Sequence, residues 1–217
     1  MYAWSKNYKY ERIKNVAYKK VDDQILKLDV YVPEGDGPFP SILVVHGGAW
    51  RLGSKGQLAI YARSLAKRGY TCFAINYRLA PKFKSPAQTE DCRDAIRWIR
   101  TNASKYKANP DLIGAMGYSA GGHLVSMLAT TGLTKESDPK GIGTKIIAAV
   151  AGGAPTDFRT VRKKSNALSY WFGAERNTEP EAYEADSPNA FVDKGDSPIF
   201  FYNGSVDLLV HPDKHPM

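Results

Sequence analysis

The sequence predicts an α/β fold, a mostly parallel central sheet flanked by helices. Three observations predict it. Short apolar runs that read as buried strands alternate with segments whose apolar residues recur at helical spacing. Gly117-Tyr118-Ser119-Ala120-Gly121-Gly122 lies between an apolar run, Leu112–Met116, and a helix-like run, His123–Leu128. In that context Gly-x-Ser-x-Gly marks a sharp, strained turn from strand to helix. Finally, 217 residues with 43% hydrophobic and 24% charged content are enough to bury one full core. One domain over residues 1–217 is expected.

The elements follow in order. Asn15–Val32 reads as two strands, because Leu26, Leu28, Val30 and Val32 alternate with polar neighbours, as in a half-exposed antiparallel pair. Gly35-Asp36-Gly37-Pro38 is a turn. Ser41–Val45 is continuously apolar, the mark of a strand covered on both faces. Lys55–Arg68 carries Leu58, Tyr61, Ala62, Leu65 and Ala66 at helical spacing, and Gly69 stops it. Thr71–Asn76 is a buried strand. Pro86–Ser104 is a helix with Cys92, Ala95, Ile96 and Ile99 on one face. Leu112–Met116 is a strand, followed by the serine turn and its helix. Lys145–Val150 and Pro198–Tyr202 are the remaining strands. Residues 152–197 break the rhythm with Pro, Asp, Asn and aromatics, including Tyr170, Trp171, Phe172 and Tyr183. They read as an irregular excursion over the sheet edge that helps shape a pocket, or as a packed connection.

Composition narrows the function classes. The net charge of +8 comes from scattered Lys and Arg, with the densest cluster only at Arg159–Lys164. That pattern reads as a solvated basic surface, and no nucleic-acid partner is expected. Cys72 and Cys92 fall in a strand and a helix and are expected as buried free thiols. No metal-ligand spacing is present and no cofactor is expected. No signal peptide or membrane span is visible. The start would look the same in a processed secreted chain, so the compartment stays open. The oligomeric state is equally open.

Gly-x-Ser-x-Gly alone is a weak signal, and its neighbours strengthen it. The glycines have a steric role, since a side chain at either flank of Ser119 would collide with the adjoining strand or helix. His46-Gly47-Gly48-Ala49-Trp50 directly follows the run 41–45. A loop of small residues there lets backbone N–H groups approach a reacting carbonyl and stabilise its developing negative charge. The amide of Ala120, at a helix N-terminus, supplies the other wall.

These two motifs and Asn203-Gly204-Ser205-Val206-Asp207 stand in the order seen in α/β-hydrolase esterases and lipases. The chain resembles the hormone-sensitive-lipase-like and the feruloyl- and acetyl-xylan-esterase-like groups over about residues 25–211. Asn76-Tyr77-Arg78-Leu79-Ala80-Pro81, with Pro86 and Asp91, is also similar to that group. The resemblance implies that Ser119 is the nucleophile and that Gly48, Ala49 and Ala120 form the oxyanion hole. It makes Asp207 the triad acid, with Asp157 a weaker rival suited to a structural turn. His46 is expected to brace the oxyanion loop, and His123, one turn beyond Ser119, to point away from its hydroxyl. His211 and His215 are the candidate bases downstream of Asp207. In the family the base follows one more helix and strand, so the last strand and helix are expected to be missing here. The strand Ile199–Tyr202 would then be an edge with apolar surface uncovered, lowering solubility unless a partner chain compensates.

The expected function is serine carboxylic-ester hydrolysis through an acyl-enzyme, with no metal or organic cofactor. By resemblance, substrates would be short-chain esters, small or linked to polysaccharide as acetyl or feruloyl groups. The alternatives are an aryl-formamide hydrolase of the same fold and a catalytically impaired fragment that lacks the triad histidine. Weak, salt-dependent nucleic-acid binding is a distant third.

Overall fold

The structure is a computed structural model that describes residues 7–205. Among the described residues, seven strands form one sheet in the order β1-β2-β4-β3-β5-β6-β7. β1 (Tyr10–Val21) and β2 (Gln24–Pro33) make an antiparallel hairpin, and β2 pairs antiparallel with β4 (Thr71–Ile75). From β4 onward every pairing is parallel, through β3 (Phe39–Val45), β5 (Ala108–Tyr118), β6 (Ala149–Gly152) and β7 (Ile199–Tyr202). The mostly parallel sheet flanked by helices is therefore present as expected.

Alternation along the strands divides the core in two. Leu43, Val45, Phe73 and Ile75 face α2 (Ala87–Asn102) and α3 (Ala120–Thr130), where they meet Cys92, Ile96, Ile99, Leu124 and Leu128. Val44, Cys72, Ala74 and Met116 face α1 (Ala59–Ala66). Each fully buried Leu or Ile contributes about 1.5–3 kcal/mol relative to exposure. Both cysteines are buried free thiols, one in each layer.

Several elements depart from expectation: β1 and β5 begin earlier, at Tyr10 and Ala108, and α1, β6 and β2 differ in ways their contacts explain. α1 starts at Ala59, because Lys55 is tied elsewhere: its amide donates to Asn76 Oδ1 at 2.7 Å and its ammonium pairs with Asp29 at 2.8 Å. β6 starts at Ala149, four residues past Lys145. The lead-in is used in a bend, with the Lys145 amide on Leu133 O and the Ile147 amide on Ile113 O. In β2 the polar alternation does not mean exposure, since Asp29 is fully buried. It accepts from Arg12 Nη2 at 2.6 Å and from the Asn15 amide at 2.9 Å, besides its Lys55 pair.

Within 152–197 lie two short helices, α4 (Ser169–Phe172) and α5 (Pro180–Ala185), and two 3₁₀ turns at Phe158–Thr160 and Pro188–Ala190. Trp171, Phe172, Tyr183 and Phe158 are buried in the α2–α3 layer.

Candidate active site

Parallel strands deliver their following loops to one edge of a sheet, which is where α/β proteins build sites. Val45 lies level with Gly117, Tyr118 with Gly152, and Gly152 with Tyr202. The loops after β3, β5, β6 and β7 therefore leave the sheet together.

Ser119 occupies the turn between β5 and α3 with φ 54° and ψ −121°, a strained conformation for a residue with a side chain. The turn is fixed at both ends. The Ser119 amide donates to Gly152 O at 2.7 Å, and Ser119 O accepts from the His123 amide at 2.9 Å. The flanking glycines are required by contact. A Cβ on Gly117 would lie 2.2 Å from Gly121 O, and one on Gly121 would lie 2.1 Å from Val45 O. Both obstacles are backbone, which cannot swing aside.

The loop after β3 runs directly against this turn. A Cβ on Gly47 would meet Tyr118 O at 2.7 Å. Gly48, Ala49 and Trp50 then take φ values of 112°, 49° and 57° in succession. Gly48 O accepts from the amides of Arg51 and Leu52 and closes the turn. Gly48 and Ala49 are partly exposed, while His46 and Trp50 are buried. Among the described residues, no backbone carbonyl accepts from the N–H groups of Gly48, Ala49 or Ala120. The last of these is an unbonded donor at the first helical position of α3. The three candidate oxyanion donors and Ser119 thus come from two abutting turns.

Both described histidines are engaged. His46 Nδ1 lies 2.7 Å from Gly47 O, so this nitrogen carries the proton. The ring stacks on Tyr77 at 4.2 Å and 11°, and the Tyr77 hydroxyl donates to His46 O at 3.0 Å. Burial, opposed by the bond to Gly47, holds the His46 pKa below the usual range. His123 is fully buried, accepts from Trp50 Nε1 at Nδ1 (3.2 Å) and meets Asp186 O at Nε2 (2.7 Å). Burial pushes its pKa down to about 4. Both rings brace the loops around Ser119.

Asp157 accepts from the Arg159 amide at 3.0 Å and pairs with its guanidinium at 2.8 Å, a local turn contact. Asp207, His211 and His215 lie outside the described residues. The sequence reading missed Asp186. It is buried beside Ser85 and Thr89, whose hydroxyls donate to its carboxyl, and no local motif announces it. Tyr77 had a signal in the segment 76–81, although its bracing role follows only from the fold.

No helix among the described residues is long and apolar enough to cross a membrane. A family model described as BD-FAE matches residues 28–216. A probable carboxylic ester hydrolase, LipM, of Mycobacterium tuberculosis is 31% identical over 183 residues, covering 80% of this chain and 42% of that protein. The chain thus spans less than half the length of that relative. Esterase 2 of Thermogutta terrifontis superposes with a TM-score of 0.76 at 26% identity, covering 94% of this chain and 75% of that one. A bifunctional GH43-CE protein of Bacteroides eggerthii gives a TM-score of 0.81 at 28% identity, covering 93% of this chain and 29% of that one.

Proposed function

Since the chain belongs to the BD-FAE family, we propose that it is a serine carboxylic-ester hydrolase working through an acyl-enzyme. The observation that carries this reading is the strained Ser119 turn, packed against a loop whose Gly48 and Ala49 N–H groups lack backbone acceptors among the described residues. Ser119 Oγ attacks the ester carbonyl after a base takes its proton. The N–H groups of Gly48, Ala49 and Ala120 receive the oxyanion, the C–O bond to the alcohol breaks as the base returns its proton to that leaving group, and water then hydrolyses the acyl-enzyme to the acid and free Ser119. Preorganised donors of this kind are each worth about 10²–10³ in kcat. Asp207, beyond the end of β7, is the acid that orients the base.

The engagement of His46 and His123 on both sides of the site supports a base outside the described residues. Within this chain the candidates for that role are His211 and His215, and a base on a further helix and strand, as the resemblance implies, is the alternative. The relatives named as esterases, and a similar solved structure described as a truncated carbohydrate esterase from gut microbiota, favour short acyl esters carried on a sugar. Residues 1–217 form one domain in this reading, with 152–197 as an excursion that backs the site.

The test is hydrolysis of p-nitrophenyl acetate by the wild type, Ser119→Ala and the double variant His211→Ala, His215→Ala. Turnover lost in both variants is the expected result. Wild-type turnover no greater than that of Ser119→Ala would overturn the reading for this chain. Full activity in the double variant would remove the tail histidines from it.

A further inference from the structure

The oxyanion loop holds an unfavourable shape. Gly48, Ala49 and Trp50 all have positive φ, and two of them carry side chains that resist it. Such a turn persists only where its surroundings over-determine it. Trp50 supplies the main anchor. Its indole stacks on Trp171 at 3.7 Å and 5°, and it meets Phe158 edge-on at 5.7 Å. Trp50 O accepts from the Ala80 amide at 2.9 Å, and Ala49 O accepts from the Tyr170 hydroxyl at 2.9 Å. Stacking allows a ring to slide in its own plane. The directional contact that stops this slide is the bond from Trp50 Nε1 to His123 Nδ1.

The chemistry of the two rings fixes the protons. An indole nitrogen only donates, so His123 Nδ1 must accept. The proton of the neutral imidazole is then on Nε2, where Asp186 O receives it. His123 therefore joins three parts at once: the helix that begins at Ala120, the loop of Gly48 and Ala49, and the segment containing Asp186. Helix and loop carry the two walls of the site.

We propose that His123 is a positioning residue that, through Trp50, sets the oxyanion loop against the Ser119 turn. It rests on the esterase reading above. It touches no substrate, and its effect falls on the alignment of Gly48 and Ala49 N–H groups with the oxyanion. Alignment gained only in the transition state changes kcat more than KM.

The experiment compares His123→Leu, which removes both ring nitrogens, with Trp50→Phe, which keeps an aromatic face and removes the donor, and with His123→Gln, which can accept and donate. Ser119→Ala is the control. Two readouts are taken on protein shown to be folded by its thermal melt: p-nitrophenyl acetate kinetics, and hydrogen exchange of the Arg51 and Leu52 amides. The expected result for His123→Leu and Trp50→Phe is a loss of about 10–100-fold in kcat with KM nearly unchanged. Exchange at both amides should rise by about tenfold or more, with His123→Gln close to wild type. Unchanged exchange in His123→Leu would overturn the proposal whatever the turnover. Raised exchange with unchanged kcat would make His123 merely structural and overturn it too. If His123→Leu does not fold, Trp50→Phe decides by the same criteria. Wild-type turnover equal to Ser119→Ala would instead sink the esterase reading, and the proposal with it.

Discussion

Asp186, beneath the candidate site, and Asp29, in the antiparallel flank, are both buried but are held in opposite ways. Asp186 makes no ion pair among the described residues, and its carboxyl receives the hydroxyls of Ser85 and Thr89. Burial pushes its pKa up to about 7. Burial acts in the same sense on Asp29, but hydrogen bonds from Lys55, the Asn15 amide and Arg12 hold its carboxyl below the usual range. The same contrast runs through each region. Around Ser119 the supports are neutral, namely Trp50, Trp171, Phe158 and the imidazoles of His46 and His123. Along β1, β2 and α2 the supports are ionic, with Lys19 and Arg78 on Asp91 and Arg97 on Asp138. Ion pairs fasten distant elements and tolerate small shifts. A site that must meet a nascent oxyanion with N–H groups gains from neutral surroundings that neither compete with those donors nor attract water.

The largest break in this comparison is expected from Gly121→Ala. Its Cβ would press on Val45 O and force the Ser119 turn away from the loop after β3. Turnover of p-nitrophenyl acetate should fall by about 100-fold or more, since a misplacement of about 1 Å can cost that much. The melt should also lose about 1–3 kcal/mol, as for overpacking. Retention of half the activity would mean that the turn yields. Asp29→Ala comes next. Breaking a buried pair typically costs about 3–5 kcal/mol, and the partial access of Arg12 and Lys55 to water brings the expectation to about 2–3. Turnover per folded molecule should stay within about twofold. A parallel fall in kcat would erase the distinction between the regions.

The smallest effect concerns pH. A carboxyl raised to about 7 in the fold binds more protons folded than unfolded between about 4 and 7. Its contribution is complete below the unfolded pKa and is lost as pH rises through the folded one. Asp186→Asn carries no such titration, so its stability relative to wild type should improve steadily from pH 4 to pH 8, by about 1 kcal/mol or more. Urea midpoints at the two ends read this directly, and a constant difference would contradict it.

The strand-and-helix rhythm was legible because each run had a period and a stop, and the Ser119 turn because its glycines sit at fixed spacing. The start of β6 was not, since Lys145–Ala148 is apolar enough for a strand yet spends its amides on Leu133 and Ile113. The burial of Asp29 depends on Arg12 and Lys55, which only the folded sheet brings near. The same holds for Trp50 and His123, 73 residues apart, and for Asp186, 97 residues from Thr89. Local patterning announces elements and turns, and it is silent about which polar groups those elements will bring face to face.

Cys72 and Cys92 are fully inaccessible, and burial pushes both thiols up, so the thiolate that reacts with alkylating reagents is scarce in the folded state. Cys72 lies in the layer under α1 and Cys92 in the layer under α2 and α3. The chain therefore carries one silent reporter on each side of its sheet. Pulsed labelling followed by mass spectrometry would time the opening of each side separately. It would show, without any engineered probe, whether the two layers come apart together or in sequence.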